Sequence, residues 1–421
     1  MIRYAFAVAI GHVVRWVARI RRRGGGSAIP GVIVNKIAPG FLPSVLNSFP
    51  DGLVIVSGTA GKSTTTRLLA AIVSAHGKKV FTNPSTANIS QGLTSAVLAQ
   101  CSALGRISAD IAILEMDEGH AAKLSAKAHP QVSVLLNVCV DQIDRFYDPL
   151  LVTNMLGTVA EHTTQAIVWN RDDGNIKVAA SRALQAQSHT FGFGPELVTS
   201  SLTLMGYVRP SRSNQISTDA DTVLKSSHGR QAKARVGNRD LDLVLPSSGL
   251  HYGVDAVAAL SSAQAILGSS FNVDLAVRTI SQAEPVFGRG ETVIIDGQEL
   301  DFVLIQNPTS LRLNLQSIPA ETSDIMFAVG SDVRDYSYLW SVQLSSLKSL
   351  AFAAGPQARE VAVHALYSGV DVQTVEPDLL AALDRFIAAP APRHGRKTII
   401  FSADSMRRTR RHFGLAEQGV H

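Results

Sequence analysis

Cysteine is nearly absent: 421 residues hold two, Cys101 and Cys139. Two thiols build neither a disulfide framework nor a four-thiolate zinc site, so buried, inert thiols in a reducing compartment fit best. Aromatics are scarce at 6%, and Lys plus Arg exceed Asp plus Glu only by 39 to 34, a net +5. That surplus is too small to argue for nucleic acid; it suits anionic ligands such as nucleotides, phosphates or acidic lipids. No repeat of fixed period marks a solenoid or propeller. No charge-free apolar stretch reaches the roughly 20 residues a spanning helix needs. What is there is a chain 46% hydrophobic with mean hydropathy +0.14, which excludes global disorder, collagen and coiled coil. At about 150 residues per domain the length predicts two or three domains.

The N-terminus is apolar from Met1 to Ile20 but interrupted by Arg3, His12, Arg15 and Arg19, and the denser cluster Arg21, Arg22 and Arg23 follows it. A signal peptide has the opposite order. Ile2, Phe6, Ile10, Val13, Val17 and Ile20 recur at helical spacing and predict an amphipathic helix. Such a stripe ordinarily docks on the protein's own core; the sharper alternative is an anionic membrane surface. A second cluster, Arg407, Arg408, Arg410 and Arg411, reads as a solvated helix face.

Short apolar strands at 53–56, 79–82, 111–114, 132–138 and 166–169 alternate with helices, the pattern of parallel βαβ units in a doubly wound α/β sheet. From about 188 to 246 polar turns separate short strands, read as a β-rich insertion. Residues 252–267 read as a helix. Phe287-Gly288-Arg289-Gly290 reads as a hinge before a smaller α/β unit, with strands expected near 300–305, 324–329, 351–353 and 398–401. The expected organisation is a lead-in (1–45), a central nucleotide-binding domain (46–286) and a C-terminal α/β domain (287–421).

The sharpest motif is Ser57-Gly58-Thr59-Ala60-Gly61-Lys62-Ser63-Thr64-Thr65, between a strand and a helix. In that context glycines let backbone N–H groups close on phosphate oxygens, and the helix N-terminus adds positive potential. Lys62 is placed to reach the β- and γ-phosphates, and the Ser63 hydroxyl to ligate Mg2+. Glu115-Met116-Asp117-Glu118 follows the third strand, at the end where acidic side chains meet such a crevice, so Glu115 is a second candidate for Mg2+. Asn137, Asp141-Gln142 and Asp144-Arg145 follow the fourth strand; a helix cap competes for Asp141.

These motifs, in order, resemble the Mur ligase superfamily, and more closely the MurT-like subunits of lipid II isoglutaminyl synthase. The phosphate loop resembles Gly-Thr-Asn-Gly-Lys-Ser/Thr-Thr-Thr. Asn83 and Ala87-Asn88 with Gly92 resemble "TN…AN…G", Glu115 to Glu118 "EVDE", and Asn137 with 141–145 "N…RDQLDR". Asn170-Arg171-Asp172-Asp173 resembles "NADD", Phe287 to Glu291 "FGRxE", Asn307-Pro308 "KNPAG", and Ser331 to Trp340 "ADGxDxSWxW".

The resemblance implies an ATP-dependent ligase with a P-loop ATPase domain and no N-terminal UDP-binding domain. ATP would phosphorylate the α-carboxylate of D-glutamate in the lipid II stem peptide, and ammonia from a GatD-type glutaminase partner would attack the acyl phosphate to give D-isoglutamine. Gly58, Thr59, Gly61, Lys62, Ser63, Thr64, Asn88, Asn137, His251 and Arg289 are then expected at the nucleotide, and Asp335 is expected to reach across to the glutaminase. The resemblance also implies a cytoplasmic setting, with the inner face of the plasma membrane as a peripheral site. The sequence departs from the family at Ala60 (Asn), at Gln306 (Lys), at Thr309-Ser310 (Ala-Gly), and at Tyr252 and Asp255, where "HN…N" is usual. Both cysteines precede the region where relatives carry a zinc ribbon, so no zinc is expected. Two other readings remain: a ligase with an amino-acid acceptor, as in folylpolyglutamate synthesis, and a nucleotide-binding scaffold subunit.

Overall fold

Alternation of fully buried strands with one-faced helices sets the architecture. The computed structural model describes residues 4–21, 28–84, 87–139, 148–195, 197, 205, 220–284, 289–319, 322–333, 335–392 and 395–415. Described in chain order, the first part holds α1 (Ala5–Arg21), α2 (Ile29–Ile37), α3 (Phe41–Leu46), β1 (Leu53–Ser57), α4 (Lys62–Ala75), β2 (Val80–Phe81), α5 (Ser90–Gln100), β3 (Ile111–Glu115), α6 (Glu118–Ala128) and β4 (Val132–Leu135). There follow α7 (Pro149–Glu161), β5 (Ala166–Asn170), α8 (Gly174–Ala180), β6 (Gln187–Phe193), β7 (Thr222–His228), β8 (Gln231–Val236), β9 (Arg239–Val244), α9 (Leu250–Leu267) and α10 (Val273–Gln282).

Their strands form one sheet in the order β2-β3-β1-β4-β5-β6-β7-β8-β9. Every pairing from β2 to β7 is parallel, and β7-β8-β9 is an antiparallel meander. Strand side chains alternate between faces. Thus Val54 and Val56 of β1 pack with α4 and α9, while Leu53 and Ile55 pack on the opposite layer with α1, α2 and α5 to α8. Burial on both faces is why these strands read as unbroken apolar runs. The segment expected as a β-rich insertion supplies β6 to β9, and these strands extend the first sheet: β6 continues the parallel array on β5, and α9 covers β6 and β7. Residues 206–219 lie outside the described residues.

The second part holds β10 (Arg289–Ile295), β11 (Gln298–Leu304), α11 (Pro308–Ser317), β12 (Ile325–Ala328), β13 (Ser349–Ala354), α12 (Ala358–Tyr367), β14 (Asp371–Glu376), α13 (Leu379–Ala388), β15 (Lys397–Phe401) and α14 (Ala403–His412). Their order is β10-β11-β15-β12-β13-β14, parallel except for the β10–β11 hairpin. That hairpin turns at Asp296 and Gly297, both at positive φ (49° and 76°), as a tight two-residue turn requires. β10 and β14 are not among the strands that the sequence pattern predicts. β14 lies at a sheet edge and no residue of it is buried, so it lacks the apolar run that marks the central strands.

The N-terminal helix corrects the expected orientation. α1 docks through Ala7, Val8 and Gly11, with Arg15 donating to the carbonyl of Ala99 at 3.1 Å. Phe6, Val13 and Val17, from the stripe the periodicity singled out, are exposed instead. The buried side is built from small residues that let α1 approach closely: a Cβ on Gly11 would sit 2.9 Å from Leu98.

Candidate functional site

The loop between β1 and α4 is shaped by two glycines. Gly58 has φ +138°, and a Cβ there would lie 2.9 Å from the backbone N of Asn137. Gly61 starts α4 in the left-handed region (φ +84°), and a Cβ there would lie 2.3 Å from Asp255 Oδ1. Both positions exclude side chains for backbone and steric reasons together. β4's extension clamps the loop. Asn137 Oδ1 accepts from Ala60 N (2.8 Å), its Nδ2 donates to Ala60 O (3.0 Å), and its backbone O accepts from Thr59 N (3.0 Å). The Thr59 hydroxyl accepts from Cys139 N at 3.2 Å. Asn137 and Thr59 are therefore the clamp of the loop. The first N–H groups of α4, at Lys62, Ser63 and Thr64, have no acceptor within the helix, which makes its mouth an anion site.

Lys62 and Glu115 fall on one side of the molecule, as the phosphate-loop reading requires. β1 and β3 are neighbours, with Val56 paired to Glu115. Lys62 Nζ donates to the carbonyls of Gly58 and Thr59 and lies 3.5 Å from Glu118 Oε1. Glu115 is 5% exposed. Asn83 holds its backbone from both sides, accepting from Glu115 N and donating to Glu115 O, each at 3.0 Å. Asp117 N donates to Asn88 O at 3.1 Å, which brings Asn88 to the same strand end. Among the described residues there is no group of three or more His, Cys, Asp or Glu side chains able to hold a metal ion. Mg2+ bound with a nucleotide needs only one or two protein ligands besides phosphate oxygens, so one buried carboxylate and one hydroxyl in the first turn of α4 fit it.

The Asn170-to-Asp173 motif acts beneath this site. Asp173 caps α8 through Asn175 N (2.9 Å) and Ile176 N (3.3 Å) and accepts from Val138 N at 2.6 Å, next to the clamp. Burial pushes its carboxyl up to about 7 against those three donors. Asp172, also raised by burial, accepts from Phe193 N at 2.6 Å and pairs with Arg171 at 3.2 Å.

A cleft open to solvent adjoins the loop. Ala60, Gly61, Asn137, His251 and Asp255 line it from the first part, and Leu304, Gln306, Asn307 and Asn314 from the second. Leu313 of α11 packs into the first part's core, so the two parts meet here. Asn307-Pro308 has a local explanation: Asn307 caps α11 in a reciprocal box with Ser310, and proline takes the first turn. Arg289 opens β10 opposite Val303; residues 285–288 of the expected hinge, like 141–145, lie outside the described residues. Asp335 stands apart from the cleft's lining, exposed after β12, where it caps the 3-10 turn 336–341. Its Oδ1 accepts from Ser337 N at 2.9 Å, and the Ser337 hydrogen bonds hold its carboxyl below the usual range. Behind it Trp340 stacks on His364 at 5.7 Å and 8°. Glu118, Asn83 and Asp173 were legible only as motif letters, and Asp255 only as a departure from an asparagine pattern; their contacts with the loop and strand ends emerge from the fold.

Residues 56–225 match the family model described as the Mur ligase middle domain. The chain is similar to the lipid II isoglutaminyl synthase (glutamine-hydrolyzing) subunit MurT of Streptococcus pneumoniae, 25% identical over 397 residues, 85% of each chain. It is 28% identical over 190 residues to the same-named subunit of Staphylococcus aureus, 43% of this chain and 42% of that one. Its fold is similar to that of the Mycobacterium tuberculosis folylpolyglutamate synthase complexed with ADP and AMPPCP, with TM-score 0.66, 16% identity, and coverage of 98% of this chain and 100% of that one. The matched middle domain and these relatives mark the chain as an ATP-dependent ligase. Among such ligases its likeness is to the MurT subunits of lipid II isoglutaminyl synthase.

Proposed function

We propose that this ligase amidates the α-carboxylate of D-glutamate in the lipid II stem peptide. The observation that carries the reading is likeness to a MurT subunit along 85% of both chains, which includes the second part of the fold as well as the ATPase core. A carboxylate is a poor electrophile. Transfer of the γ-phosphoryl group to its oxygen releases ADP and gives an acyl phosphate; ammonia then adds at the carbonyl carbon and inorganic phosphate leaves. Little of this needs covalent help from the protein, so positioning and charge neutralisation dominate. The N–H groups at 61–64 would bind the phosphates. Lys62 would leave its loop carbonyls for the β- and γ-oxygens. Ser63 and Glu115 would hold Mg2+, which when bound neutralises phosphate charge. His251 would face the nucleotide from the cleft, and Asn88 from the end of β3. Arg289 would join on closure of the two parts.

Ammonia would come from a separate GatD-type glutaminase, with Asp335 reaching across that interface; its exposure and lowered pKa suit an ionised group offered to a partner. The setting would be cytoplasmic, peripheral to the membrane that holds lipid II. The test is reconstitution: chain, glutaminase, lipid II, glutamine and Mg-ATP, with the product read by mass spectrometry. Carboxamide at the D-glutamate α-carbon is expected with glutamine or ammonia. ATP turnover stimulated by amino acids and not by ammonia would favour the folylpolyglutamate-type reading. Full amidation by Lys62→Ala would favour the scaffold reading.

A further inference from the structure

We propose that the outer face of α1, with the exposed apolar side chains of α2, is a docking surface for an anionic lipid bilayer. α1 is apolar on two sides. One side is used within the fold: Ala7, Val8 and Gly11 pack against Val34 of α2 and Leu98 of α5. The other carries Phe6 (79% exposed), Val13 (61%) and Trp16 (65%), with Val17 also exposed. Positions 6, 13 and 17 fall within about 40° on a helix of 3.6 residues per turn, so they form one stripe. On the packed neighbour α2, Ile29, Val32 and Ile37 are exposed. Scattered apolar residues on a surface need no explanation, but a stripe along a helix with more on its neighbour does.

Charge selects the occupant. The first acidic residue of the whole chain is Asp51, whereas Arg3, Arg15, Arg19, Lys36 and the run Arg21, Arg22 and Arg23 precede it. An exposed apolar stripe with a tryptophan, in a stretch of 50 residues whose sequence holds cations and no carboxylate, is the chemistry of a helix lying in the interface of an anionic membrane. No helix among the described residues is long and apolar enough to cross one. A second copy of the chain would bring the same cations against themselves, which disfavours it as occupant.

The inference deepens the peripheral placement proposed above and rests on that reading only for the choice of a bacterial-type lipid. The experiment measures binding without catalysis, so its failure leaves the ligase reading standing. Full-length protein is mixed with vesicles of phosphatidylcholine alone or with one-third phosphatidylglycerol, then sedimented, with Trp16 emission followed against a Trp16→Phe control. Expected are at least tenfold preference for the anionic vesicles, weakening with added salt, and a blue shift lost in the control. Phe6→Ser with Val13→Ser should cut binding at least tenfold with ATPase activity and melting temperature unchanged. Absence of vesicle binding, binding indifferent to phosphatidylglycerol, or binding undiminished by the double substitution would overturn the proposal. So would a dimer in solution that the double substitution dissociates, which assigns the face to a second copy.

Discussion

Gly61 is the tightest residue of the site, caught between a left-handed backbone and the carboxylate of Asp255. Gly61→Ala is expected to cost about 1–3 kcal/mol in stability from backbone strain alone and to raise the KM for ATP, read by thermal melting and steady-state kinetics. Asn137→Ala removes both side-chain bonds to Ala60. About 1–3 kcal/mol of stability should go with them, and a slackened loop should raise the KM for ATP about tenfold, the equivalent of 1.4 kcal/mol. Asp173 gives a pH signature. Its carboxyl titrates near 3.8 when unfolded and at about 7 in the fold. Between those values the folded state holds more protons, so this group makes stability fall as pH rises from about 4 to about 7. Urea unfolding across that window should show the decline, and Asp173→Asn should flatten it. That Lys62 and Glu115 meet at one end of the sheet was legible in sequence, because glycine spacing and strand-end acids are local patterns. The clamp was less legible: only the strand order shows the Asn137 side chain bonded to the loop backbone at Ala60 and the Thr59 hydroxyl bonded to Cys139 N on the extension of β4.

Elements carry a different constraint, close approach. α2 crosses α5 so tightly that a Cβ on Gly31 would lie 1.9 Å from the carbonyl oxygen of Gln91, while Gly31 N donates to Ser95 Oγ at 2.9 Å. Gly31→Ala must push the helices apart; a loss of about 1–3 kcal/mol is expected, visible as a lowered melting temperature with the nucleotide KM little changed. Central strands β1, β3, β4 and β5 were readable because burial on both faces demands continuous apolar runs. β14 was not, because an edge strand is under no such demand. The direction in which α1 faces was also hidden: with Ala7 and Val8 on one side and Phe6 and Val13 on the other, periodicity marks a helix but not the side that docks.

At the scale of the molecule, the cleft is made by contact between two sheet-based units. Leu313, 6% exposed, leaves the second unit's helix to join the first unit's core beside it. Leu313→Ser should loosen that contact: about tenfold or more is expected to be lost from ligation while ATP binding changes by less than about threefold, since ligation needs both units in register. Single-turnover ligation and nucleotide titration separate the two.

The sequence by itself determined the phosphate loop, the parallel α/β core and the acid at the end of β3, because each follows from local rules of glycine geometry, strand burial and strand-end position. Tertiary structure alone decided that Asn137 clamps the loop, that the strands after 188 extend the first sheet, that Asp255 meets Gly61, and that the bulky stripe of α1 faces outward. Those are pairings between residues far apart in the chain, and they are set by packing, which no local pattern encodes.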